Sequence, residues 1–325
     1  MNLTRRELVR NLLASGAFFA LPRGWSAEEK PLLTLGLISD THVKEAADVG
    51  PLAEIFQWYA GRKVDAMVNC GDVCEVGSLQ ELSFYMDAWK QGFGATAPEH
   101  IVVWGNHDYK AASYMRGKEL SEAEKADSIK FNRDGAWKIL YGEKHPGEVF
   151  LRKVKGYDFV CAHWKGQSGV PDFIRQHKVD TSKLFFEVEH SPIPGTVVPE
   201  SAGAEKSKLR GYLETQPNCL SLSGHIHCTL ADPHFFWRGG FAAITCGSTK
   251  KCAVRKGRGP SCIRGPINGT WGTRQGAVLT VYPEYMTLER HSFAVGRDIA
   301  PATKILLPLK PCVPPKFPLS PTPTL

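Results

Sequence analysis

Five short apolar runs in this chain each stop on residues that can hold a hard or borderline metal ion, and that repetition constrains the fold more than any bulk property. Residues 35–39 run into Asp40-Thr41-His42, residues 64–70 into Gly71-Asp72, and residues 101–104 into Gly105-Asn106-His107-Asp108. Residues 184–189 run into His190, and residues 219–223 into Gly224-His225-Ile226-His227. Runs of this length read as buried strands, as does the run at 157–162. Between them, residues 51–62, 79–91 and 205–215 carry helical spacing, with Pro51 suited to a first helical turn. Alternating strand and helix signals predict an α/β architecture. In open α/β sheets ligands bind beyond the carboxyl ends of the strands. Five such ends would gather Asp40, His42, Asp72, Asn106, His190, His225 and His227 around one spot.

Carboxylate, amide oxygen and imidazole together suit Mn, Fe or Zn. A carboxylate can bridge two ions, and Asp72 is the natural bridge. The i, i+2 spacing of Asp40 and His42, and of His225 and His227, predicts that each pair points the same way from extended backbone, so that each pair can reach the metal pocket together. Glycines 71, 105 and 224 permit tight turns and a close approach of backbone to ligand.

The rest of the chain sets the frame. Residues 235–246, 276–282 and 285–293 are strand-like without intervening helices, which predicts a second, antiparallel stretch of sheet packed on the first. Residues 250–264 carry six basic residues and no acid, and residues 308–325 carry seven prolines, an extended tail. With 325 residues, 42% of them hydrophobic, the chain can bury a sizeable core. No composition break divides residues 32–307.

The first 27 residues read as an export signal. Arg5 and Arg6 precede an apolar stretch at 12–21, and Gly24, Ser26 and Ala27 follow Pro22 and Arg23. That apolar stretch is too short for a permanent anchor. The paired arginines resemble the bacterial twin-arginine (Tat) signal, which implies the Tat export machinery as a partner and a periplasmic or secreted location, with no stable membrane insertion after cleavage. Four arginines against one glutamate in this leader supply part of the formal charge of +7. The remainder gives nucleic-acid binding little support.

Asp-x-His, Gly-Asp, Gly-Asn-His-Asp, a lone His and Gly-His-x-His, in that order over residues 35–227, resemble the calcineurin-like metallophosphoesterase superfamily. The resemblance implies an α/β/β/α sandwich of two facing mixed sheets flanked by helices, over a domain at 28–307. It implies two divalent metal ions, one held by Asp40, His42, Asp72 and His227, the other by Asp72, Asn106, His190 and His225. His107 would stand over the leaving-group oxygen with Asp108 behind it as orienter. The implied reaction is hydrolysis of a small phosphate monoester or diester by a metal-bridging hydroxide, with ions about 3.5–4 Å apart clamping both sides of the displacement. Purple acid phosphatases carry a tyrosine three residues after the Gly-Asp aspartate. Glu75 stands there, so a tyrosinate–iron site is not expected.

Two other functions share the motif set: a periplasmic metallonuclease and a non-catalytic scaffold on the same fold. Retention of all seven ligand positions with His107 and Asp108 favours the enzyme. Cys74 reads as a small core thiol rather than a ligand, and His163 as a hydrogen-bonded structural histidine. Cys252 and Cys262 could pair in an oxidising compartment. Residues 108–158 match no motif and are expected to carry substrate specificity.

Overall fold

Alternation of side chains along two sets of strands builds the molecule. The computed structural model describes residues 29–110, 120–197, 208–252 and 274–309. The first sheet contains β1 (Leu33–Ile38), β2 (Ala66–Asn69), β3 (Glu99–Val102), β10 (Gln275–Val281), β11 (Tyr285–Ser292), β12 (Arg297–Asp298) and β13 (Thr303–Leu306). Its order is β12-β11-β10-β1-β2-β3, with β13 also on β11. Strands β1, β2 and β3 are parallel, and β10 runs antiparallel to β1. The second sheet contains β4 (Val149–Val154), β5 (Tyr157–Ala162), β6 (Phe185–Val188), β7 (Cys219–Ser223), β8 (Phe236–Arg238) and β9 (Ala242–Thr245), in the order β4-β5-β6-β7-β9-β8. Its four inner strands are parallel.

One face of each sheet meets the other. Leu35, Leu37 and Val68 share a core with Phe159, Phe186, Val188, Leu220, Leu222 and Ile244. Helices α1 (Val49–Gly61) and α2 (Leu79–Phe93) join this cluster through Phe56, Tyr59, Tyr85 and Trp89. Ser78 and Glu81 form a reciprocal capping box that starts α2 just past the Gly71-Asp72 loop. On the outer face of the second sheet, Val160, Phe185, Cys219 and Ala243 pack with Ile174 of α5 (Val170–Gln176) and with Leu209 and Leu213 of α6 (Lys208–Leu213). Helices α3 (Glu122–Ala126) and α4 (Arg133–Tyr141) precede β4, and Trp137 of α4 is fully buried. The result is two mixed sheets flanked by helices, the expected sandwich.

The C-terminal strands differ from expectation. They form no sheet of their own but complete both sheets. The run at 235–246 breaks at Gly239-Gly240 into a hairpin, whose β9 lies parallel to β7. Strands β10 and β11 extend the first sheet instead. A strand alone does not encode which open edge it joins. The described residues from Pro31 onward form one compact unit. No helix among them is long and apolar enough to cross a membrane. The leader at 1–27, most of the basic loop, Cys262 and the tail from 310 lie outside the described residues.

Candidate metal centre

The seven candidate ligands converge just beyond β1, β2, β3, β6 and β7. They do so by a route other than strand alternation. Strands β1 and β7 end at Ile38 and Ser223, before the ligands begin. Asp40, His42, Asp72, His225 and His227 all have positive φ, between 43° and 69°. Left-handed backbone costs a non-glycine residue about 1–3 kcal/mol, and such strain concentrates at functional sites. The prediction from extended i, i+2 spacing therefore fails in its reason. Both pairs nevertheless reach the site, Asp40 and His42 in one cluster and His225 and His227 in different ones, the division that the family resemblance implies.

Asp40, His42, Asp72 and His227 make the first cluster. His227 Nε2 lies 3.0 Å from His42 Nε2 and 3.2 Å from Asp40 Oδ1. Asp72, His190 and His225 make the second. His190 Nε2 lies 3.2 Å from His225 Nδ1, from Asn106 Oδ1 and from Asp72 Oδ2. Asp72 Oδ2 is also 3.7 Å from His42 Nε2, which puts this carboxylate between the two clusters.

The outer nitrogens show what these rings are built to do. His190 Nδ1–H donates to the Cys70 carbonyl at 2.7 Å, and His227 Nδ1–H to the Lys251 carbonyl at 2.7 Å. His42 Nδ1 lies 3.0 Å from Glu75 Oε2. With protons on these outer nitrogens, the Nε2 lone pairs face inward toward carboxylate oxygens. Buried Asp40 Oδ1 has no hydrogen-bond partner among the described residues. Converging lone pairs of this kind repel one another unless a cation lies among them, so the residues fit divalent ions. Without ions the same field acts on protons. Burial opposes a charge on His190, but the Asp72 carboxylate outweighs it and lifts the imidazole to about 9. Burial would raise Asp72, yet the neighbouring His190 and His42 hold it well below the usual carboxylate range.

Close approach makes the glycines necessary. A Cβ on Gly105 would come within 2.6 Å of the Asp72 nitrogen and 2.7 Å of His190 Cδ2. Gly71 has φ +97°, and a Cβ there would meet His190 Nδ1 at 2.7 Å. Thr41, between two ligands, donates its hydroxyl to the Val73 carbonyl at 2.8 Å and ties the first loop to the second.

His107 and Asp108 need separate treatment. The His107 backbone N–H donates to Asp72 Oδ1 at 2.7 Å, and its Nδ1–H to the Glu75 carbonyl at 2.8 Å. Its ring meets that of His42 edge to face at 4.5 Å. Lys110 Nζ lies 2.7 Å from His107 Nε2. Asp108 takes a different place from the expected orienter. Its carboxylate accepts backbone N–H groups from Gly105 at 2.7 Å, Cys74 at 2.8 Å and Val73 at 3.3 Å. It thereby clasps the loops after β2 and β3 together, and the carboxylate facing His107 is that of Glu75, whose Oε1 is 3.7 Å from Nδ1. Burial and the Asp72 charge push Asp108 up to about 7.

Glu75 is the residue that sequence reasoning passed over. Its only signal was a negative one, the missing tyrosine. Cys74 is fully buried, and burial pushes its thiol well above its usual range, as suits a core residue. His163 is buried and accepts the Trp104 N–H on Nδ1 at 3.0 Å. Cys252 is buried and donates to the Ser248 carbonyl at 3.4 Å.

The model of the calcineurin-like phosphoesterase family matches residues 33–229, more than half of the chain. The chain belongs to that family. The two ligand clusters give it a candidate dinuclear metal centre. Among solved structures it is similar to a purple acid phosphatase from yellow lupin (Lupinus luteus) seeds, at 14% identity and a TM-score of 0.54, over 85% of this chain and 55% of that one. It thus spans little more than half of that protein. It is also similar to a dimetal phosphatase from Danio rerio, at 13% identity and a TM-score of 0.48, over 85% of this chain and 99% of that one. No curated protein matches the chain significantly.

Proposed function

We propose that this phosphoesterase hydrolyses small phosphate monoesters or diesters, and that it works in the periplasm after export by the Tat machinery. The observation that carries the catalytic reading is Asp72, whose Oδ2 lies between His42 and His190 and joins the two clusters. When bound, two divalent ions supply an activated water and neutralise charge on the phosphoryl oxygens. The chain's own residues do the rest. Asp40, His42 and His227 hold one side, and Asn106, His190 and His225 the other. His107, with Nδ1 tied to the Glu75 carbonyl, offers Nε2 to a leaving-group oxygen that would take the place of its present contact with Lys110 Nζ. Lys110, beside that nitrogen, adds positive charge where the phosphoryl group carries negative charge.

Purified protein loaded with Mn, Fe, Zn or Co tests this against a panel of phosphate mono- and diesters. No turnover with any metal sinks the enzyme reading and favours the scaffold. Nicking of plasmid DNA at a comparable rate would favour the nuclease. His107→Ala should cost most on substrates with poor leaving groups, and equal losses across leaving groups would contradict an acid at that position. The export reading rests on the arginine pair and the short apolar stretch of the leader. Replacing Arg5 and Arg6 with lysine should trap the protein in the cytoplasm, and unchanged periplasmic recovery would refute it.

A further inference from the structure

A cavity of about 270 Å³ lies between the first ligand loop and the start of α1. Thr41, which stands between the ligands Asp40 and His42, forms part of its wall. Thr249, Lys250 and Arg274 form another part, and Asp48 and Leu52 line it from the side of α1. The segment at 248–251 is held against the ligands. The Thr249 N–H donates to the Ser39 carbonyl at 3.1 Å, and the Ser248 hydroxyl to the Asp40 carbonyl at 3.0 Å. The Lys251 carbonyl accepts His227 Nδ1–H at 2.7 Å. Arg274 reaches the same place because the Gln275 N–H donates to the Ser248 carbonyl at 2.8 Å. The cavity is thus walled by the backbone that positions Asp40, His42 and His227.

Its charges are unequally matched. Lys250 Nζ pairs with Asp48, whose carboxylate also accepts the backbone N–H groups of Lys44 at 2.9 Å and Glu45 at 3.3 Å. No carboxylate among the described residues pairs with Arg274. The buried Thr249 hydroxyl also has no hydrogen-bond partner among them. The sequence from Lys250 to Arg274 carries seven basic residues and no acid. A guanidinium presents planar paired donors that match a carboxylate or a phosphate. Pockets for whole small ligands run to about 300–1,000 Å³, so this smaller cavity suits one group of a ligand whose remainder lies elsewhere.

We propose that the cavity receives a second anionic group of the substrate, a carboxylate or a phosphate, and that Arg274 binds it. The inference rests on the phosphoesterase reading above and narrows it to phosphoesters that carry an acidic group beyond the scissile phosphate. The separation of Arg274 from the metal centre then sets the length of the link between the two anions.

KM values of the metal-loaded, full-length protein on ω-carboxyalkyl phosphates and on alkyl phosphates of equal length test this. At a preferred chain length the carboxylate should lower KM about tenfold or more. Arg274→Gln removes the charge and should abolish that advantage, and Arg274→Lys, which keeps the charge without the fork, should restore part of it. No carboxylate advantage at any length overturns the proposal. So does an equal rise in KM on both series in Arg274→Gln, which would report a displaced ligand loop. Activation of alkyl phosphate turnover by free propionate would mark an effector site and overturn it as well. Absence of turnover on every phosphoester would refute the hydrolase reading instead. Calorimetry with the non-hydrolysable ω-carboxyalkyl phosphonates then decides the subsite, because equal affinity of wild type and Arg274→Gln overturns it. Should Arg274→Gln fail to fold, the wild-type comparison across chain lengths decides alone.

Discussion

Removing the Glu75 carboxylate should weaken the hold on one metal ion and leave the other nearly unchanged. Of the two ligand clusters His42 belongs to the first, it also groups with Glu75 and His107, and its outer nitrogen lies 3.0 Å from Glu75 Oε2. In that place the carboxylate fixes the tautomer that turns the Nε2 lone pair inward, and makes the ring a better ligand. The contact is a charge contact rather than an aligned hydrogen bond, and loss of such an outer partner typically costs about 10–100-fold in metal affinity, about 1.4–2.8 kcal/mol. Glu75 is about a third exposed, so solvent screening reduces this to about 1–2 kcal/mol. That corresponds to roughly 5–30-fold in affinity for the ion held by His42. The second cluster takes its orientation from the Cys70 carbonyl on His190, which the substitution does not touch. Competition with a fluorescent chelator at fixed pH reads the two affinities separately. Glu75→Ala should show the full loss, and Glu75→Gln, which keeps an acceptor oxygen, a smaller one. Two unchanged affinities would refute the reasoning. Equal losses at both sites would refute it too, because they would report a general loosening of the loops.

Gly105→Ala should lower kcat about 100-fold, the scale set by an ångström-sized displacement of reacting groups, because its methyl group cannot coexist with Asp72 and His190 in their present positions. An alanine variant with near-normal kcat and metal content would show that the loop has more room than the structure allows. Glu187, fully buried and accepting the Ser221 hydroxyl at 2.7 Å, is pushed by burial up to about 8. Folded protein then holds a proton that unfolded chain releases near 4.5, so stability should fall as pH rises from about 4.5 to about 8. Glu187→Gln should flatten that fall by a few kcal/mol in denaturant titrations. An unchanged slope would mean that Glu187 is charged in the folded protein.

The ligands were legible in the chain because each follows a strand, and a parallel sheet delivers its strand ends to one edge. Asp40, Asp72, Asn106, His190 and His225 could be named from apolar runs that stop on polar residues. The two-sheet sandwich was legible through the order of the same motifs. The spacing of the ligands does not encode how they divide; the family resemblance implied it, and the tertiary structure carries it out. His225 and His227 part company because their backbone turns left-handed beyond β7, a torsion that i, i+2 spacing does not encode. Glu75 gained its place beside His42 and His107 only when the loops after β1, β2 and β3 met. Asp108 lies among backbone N–H groups of two loops, where the family resemblance implied a partner for its neighbour. Strands β9 and β10 entered different sheets because each sheet still offered an open parallel or antiparallel edge. Sequence neighbours set local conformation, strand and turn. Which polar atoms face one another across the site depends on contacts between segments up to nearly two hundred residues apart, and these exist only once the sheets have packed.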